Sequence, residues 1–235
     1  MKDLVSKVTF GFLMAQMLPG AVVVIAFTCM TVGNGLESYP CIKQMLDNIE
    51  TFWFRSTFAI FAFLFVSVAV GMLIHGLNWT VLACIENRGG VKDPKAVRDT
   101  KYHKWSFWRQ LLLSPCIMAY EILVLVVTAK NIEQLTMDEN ISWIKSEHIQ
   151  QFQFLEDFYL HFGQFYAHMA YALLTTLILA IVCCFRKPSF GLFALVLGFY
   201  LLSGVFFLLG RIQLSSLFKA ETTLREQSKP TVGGR

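Results

Sequence analysis

QLLLSPCIMAYEILVLVVTA, residues 110–129, decides how many times this chain crosses a membrane. The stretch has the roughly 20 residues that a helix needs to cross a hydrocarbon core about 30 Å thick. Two residues count against it. Pro115 removes a backbone donor in its first half, and Glu121 places a carboxylate near its middle, which costs at least about 2.5 kcal/mol on insertion scales.

Around it lie four apolar stretches with no such conflict: Val8–Gly33, Ser56–Ile85, Phe165–Phe185 and Phe190–Gly210, none of which contains Asp, Glu, Lys or Arg. The composition agrees with them. Of 235 residues, 55% are hydrophobic and 15% charged, and the mean hydropathy is +0.54. Soluble domains carry about 45–50% apolar and about 25% charged residues. The uncharged run at the N-terminus is too long for the apolar core of a signal peptide, and no small-x-small cleavage site follows, so it reads as a first transmembrane helix.

Loop charge arbitrates on the ambiguous stretch. The 86–109 loop holds Arg88, Lys92, Lys95, Arg98, Lys101, Lys104 and Arg109. With four spans and both termini inside, 16 Lys and Arg lie inside and 4 outside; with five spans the division is 11 to 9. The positive-inside bias favours four. The expected fold is therefore an all-α polytopic integral membrane protein with four transmembrane helices, five being the alternative. Residues 1–85 form an N-terminal pair with an external amphipathic loop over 34–55. Residues 86–164 form a helical cytoplasmic insert, basic then acidic, between the second and third spans. Residues 165–210 form a C-terminal hairpin, and 211–235 an amphipathic cytoplasmic helix and tail. On this reading 110–129 is a buried or re-entrant helix whose Glu121 faces protein or water. With both termini inside, a bacterial inner membrane is the default location.

The insert interleaves Lys95, Arg98, Lys101, Lys104 and Arg109 with Tyr102, Trp105, Phe107 and Trp108. Cations beside Trp and Tyr suit a segment lying on an anionic leaflet. Next to a bilayer, that reading outweighs single-stranded nucleic acid, which is not an expected partner. The expected partners are the lipid bilayer, a second copy of the chain, and a cytosolic protein at 86–164 or 211–235.

The strongest polar pattern lies in FLEDFYLHFGQFYAHMAYALL, residues 154–174. Asp157, His161, Gln164 and His168 follow an i, i+4, i+7, i+11 spacing, which is one helical face, and Tyr171 and Thr175 extend it. An ionisable stripe entering an apolar bundle marks a polar path, or else it is the solvated side of a helix leaving the lipid, with His168 alone inside and bonded to a neighbouring carbonyl. His75 and Asn78 share a face of the second span, where Gly71 and Gly76 permit close helix approach. Gln16 precedes Pro19, which kinks the first span and frees a carbonyl. Arg211 closes the last span as a snorkelling anchor. Asp157, His161, Gln164, His168, His75 and Asn78, with Glu121, are the candidates for a pore or polar path.

No catalytic or metal site emerges. His161 and His168 are seven residues apart, roughly 10 Å along a helix, too far to share one ion. The six cysteines form no C-x-x-C pair, no nucleophile or nucleotide-binding motif is present, and no cofactor is implied. Three functions fit: a homo-oligomeric pore or channel-like effector controlled through the insert; a non-catalytic membrane anchor or scaffold that recruits a cytosolic partner; and, least supported, a lipid- or quinone-handling enzyme using His75, His161 and Glu121.

Overall fold

The computed structural model describes residues 13–33, 52–89, 105–128, 146–155, 160–186 and 188–228. Every regular element among them is helical. A π-helical turn, Leu13–Met17, leads into α1, Leu18–Gly33. Then come α2, Phe52–Gly89, and α3, Phe107–Thr128. A 3₁₀ turn at Ser146–His148 and the short α4, Ile149–Leu155, precede α5, His161–Arg186, and α6, Phe190–Ser228.

Among the described residues four helices are long and apolar enough to cross a membrane: Ala59–Ala83, Phe107–Val127, His161–Arg186 and Phe190–Leu224. The number matches the expectation but the membership differs. The ambiguous stretch is among the four, because α3 runs unbroken through Pro115. The expected first span appears as a shorter apolar helix, Ala15–Met30, and the beginning of Val8–Gly33 lies outside the described residues. The helix predicted from Arg211 onward exists, as the continuation of α6 to Ser228. The loop at 34–51 and residues 90–104, 129–145 and 156–159 of the insert also lie outside the described residues.

The surface explains the apolar composition. Phe65 is 77% exposed and Phe190 90%, and Phe61, Leu73, Val126 and Phe185 are likewise open. Each such side chain left in water forfeits about 1.5–3 kcal/mol, so this outer surface is one for lipid. Hydroxyls on these helices fold back on their own turn: Thr80 donates to the Gly76 carbonyl at 2.6 Å, Ser114 to Gln110 at 2.6 Å and Thr176 to Ala172 at 2.9 Å. With no water in a bilayer core, that local bond is how an apolar helix carries a hydroxyl. The start of α6 is capped by Ser189, whose Oγ accepts the Leu192 N–H at 3.2 Å.

Helix directions follow from the contacts. α1 and α2 are antiparallel and touch backbone to backbone. A Cβ on Gly20 would stand 1.8 Å from the Ser67 carbonyl oxygen, and one on Gly71 2.0 Å from that of Gln16. Gly76 faces open space, so of this pair only Gly71 serves close approach. α5 and α6 form an antiparallel hairpin, with Gly210 against Ala167 and the Phe206 ring against Phe165 and Tyr166. α3 runs parallel to α6: Gly204 lies on the Leu111 carbonyl, and further along both helices Glu121 meets Arg211. The central helix is α5, whose Ala170–Leu174, Thr176, Leu177 and Ala180 are buried. One core cluster joins Val23, Ile74, Ile117, Met118, Ala170, Leu174, Leu177 and Phe207, and so draws on all five long helices.

Candidate functional site

Proline chemistry builds the first polar junction. In an α-helix the Ala15 carbonyl would accept the N–H of residue 19, but residue 19 is Pro and has none. The π-helical turn at Leu13–Met17 immediately precedes it. His168, wholly buried on α5, donates Nδ1–H to this carbonyl. Its other ring nitrogen, Nε2, faces Nδ1 of His75 on α2 at 3.4 Å, with the two rings edge to face and 5.0 Å between centroids. Trp79 closes the other side of His75 at 6.0 Å. Three helices thus meet on one hydrogen-bonded line, from Ala15 through His168 to His75. Asn78, one turn after His75, is buried beside it in sequence.

The second junction is ionic. One guanidinium nitrogen of Arg211 on α6, Nη2, donates to both carboxylate oxygens of Glu121 on α3, at 2.6 and 2.7 Å. The Glu121 side chain is only 9% exposed and that of Arg211 19%. The guanidinium also lies over the Phe207 ring at 4.8 Å. Tyr171 on α5, one turn after His168 and buried, lies within electrostatic reach of both Glu121 and Arg211. α5 therefore bonds into the first junction and, one turn on, places Tyr171 within reach of the second.

The predicted site residues fare unequally. His168 and His75 are brought together. The stripe itself is not one environment: His168 is in the core, whereas His161 and Gln164 are half-buried and make no hydrogen bond among the described residues. Asp157 lies outside the described residues, as do Lys95, Arg98, Lys101 and Lys104. Of the other surface residues, Arg109 stacks on Trp105 at 4.4 Å, while Trp108 is exposed and stands edge-on to Phe107. Arg211 is not an interfacial anchor, as its spacing suggested, but the counter-ion of Glu121. The signal was in the sequence, since a carboxylate in the middle of an apolar helix requires a cation or a proton.

Tyr200 had no signal at all. Its hydroxyl donates to the Leu112 carbonyl, in the turn of α3 that Pro115 disturbs. Glu121 bonds to Arg211 and His75 to His168, so the structure does not gather His75, His161 and Glu121 around one point. Among the described residues no group of three or more His, Cys, Asp or Glu is placed to hold a metal ion. No protein-family model, no curated protein and no solved structure matches this chain.

Proposed function

We propose that this protein is a non-catalytic membrane anchor or scaffold, a sealed helical bundle that holds its cytoplasmic segments at the membrane for a soluble partner. One observation carries the reading. His75, His168, Glu121 and Arg211 inside the bundle bond to each other or to freed backbone, and the outer surface is apolar. A pore shared between copies needs the opposite, polar groups on a helix face turned to a common axis. Both termini and the basic 86–109 segment are assigned to the cytoplasm on charge asymmetry. Single cysteines placed between 130 and 145 then label from the cytoplasmic side only; labelling from the opposite side makes α3 a crossing helix.

A homo-oligomeric pore is the second reading, and one observation favours it. Gln16 Oε1, Ser67 Oγ and Arg211 Nη1 are buried with no hydrogen-bond partner among the described residues. Water threading the bundle would satisfy them. The two readings part in a flux assay on the purified full chain in sealed liposomes under a potassium or proton gradient. The scaffold passes no more ions than protein-free vesicles. Flux that rises with protein and falls on His168→Ala substitution overturns the scaffold in favour of the pore.

A further inference from the structure

We propose that the Ala15–His168–His75 junction is an acid-sensitive latch, which holds α1, α2 and α5 together while the pair carries at most one positive charge and opens when both rings are protonated. The hydrogen bonds fix where the protons are. A carbonyl oxygen only accepts, so His168 Nδ1 carries a hydrogen toward Ala15. In neutral His168 the Nε2 atom is then bare, and at 3.4 Å it accepts from Nδ1–H of His75. Neutral His75 so disposed has its own Nε2 free, and the residue is half-exposed. The first proton goes to that nitrogen and breaks nothing.

A second proton has only His168 Nε2 to bind. It turns the N–H···N contact into two N–H groups facing each other, on two cations with centroids 5.0 Å apart. No carboxylate beside them among the described residues is free to balance them. The turn before α1 offers the Ala15 carbonyl, already used, and the neutral amide of Gln16, and the described residues of α1 hold no charged side chain. α2 adds Trp79, a donor beside His75, and the buried neutral amide of Asn78. On α5, Tyr171 follows and half-buried His161 precedes by two turns. Among the described residues the only carboxylate facing this part of α5, Glu121 of α3, is engaged by Arg211 of α6. The rings must part, and the parting frees the Ala15 carbonyl with them.

The test is hydrogen exchange on the full chain in lipid nanodiscs at about pH 7.5 and about pH 5, corrected for intrinsic exchange rates. Wild type should show amides of α1 and of the first half of α5 exchanging at least about tenfold faster in acid. His75→Gln, whose amide still donates to His168 but takes no charge, should abolish the difference. An equal acid response in both proteins, or none in wild type, overturns the latch. Should His75→Gln fail to fold, histidine nitrogen-15 spectra of wild type decide. Two imidazolium rings with exchange still slow overturn the proposal, and loss of protection in step with the second protonation supports it.

Discussion

Two junctions hold this bundle together, and they solve the same problem with different chemistry. The Glu121–Arg211 junction ties α3 to α6 with a full charge on each side. The Ala15–His168–His75 junction ties α5 to α1 and α2 with neutral hydrogen bonds. An ion pair in low dielectric is held by both partners at once: losing either strands a buried charge, and gaining a proton on Glu121 strands the arginine. The neutral junction loses less with any one group, because what remains is a carbonyl or an imidazole rather than an ion. The first is therefore a rigid fastening, and the second is the place where a small change in conditions can be felt.

Removing one partner of each junction draws the contrast most sharply. Arg211→Met should destabilise the protein by about 3–5 kcal/mol, the range for breaking a buried ion pair from one side. Adding Glu121→Gln should recover most of that loss. Equilibrium unfolding in detergent micelles measures both. A double variant no more stable than Arg211→Met would mean that the arginine, and not the pair, is what matters.

The neutral junction depends on the closeness of α1 and α2, and glycine supplies it. Gly71→Ala puts a methyl group onto the Gln16 backbone and should cost about 3 kcal/mol, the upper end for overpacking. Gly76→Ala, facing open space five residues later, should be neutral or stabilise by up to about 1 kcal/mol through helix propensity. Equal effects in the same unfolding assay would show that the contact at Gly71 is not the one that sets the helix spacing.

His168→Phe orphans the Ala15 carbonyl and should cost about 2 kcal/mol. Pro19→Ala restores the N–H that this carbonyl lacks, so in the His168→Phe background it should give back part of the loss. A double-mutant cycle reads that coupling, and additivity would sever Pro19 from His168. The smallest effect falls at the other proline. Tyr200→Phe removes a single hydroxyl bond to Leu112 and should cost about 1 kcal/mol without altering the acid response of hydrogen exchange. A changed acid response would tie the two proline sites into one network.

Several of these features were legible before any coordinates. The apolar runs announced the helices, because backbone in lipid has little alternative to helix. Pro19 implied a freed carbonyl, and a buried His168 implied a carbonyl partner, but nothing in the linear order said that the two were the same bond. Glu121 implied a cation without naming Arg211, ninety residues away. Gly71 and Gly76 read alike and behave differently, since close approach depends on which side of α2 meets α1.

The sequence by itself determined that this is an all-helical chain whose outer surface belongs in lipid, and that its few internal charges and imidazoles need partners. Hydropathy and periodicity are local quantities, summed over one helix at a time. Only the tertiary structure decided which partner each polar group takes, that α3 runs unbroken through Pro115 alongside α6, and that the histidine stripe divides between the core and the half-buried end of α5. Those outcomes depend on how helices far apart in the chain rotate and pack against one another, and a one-dimensional pattern carries no record of that.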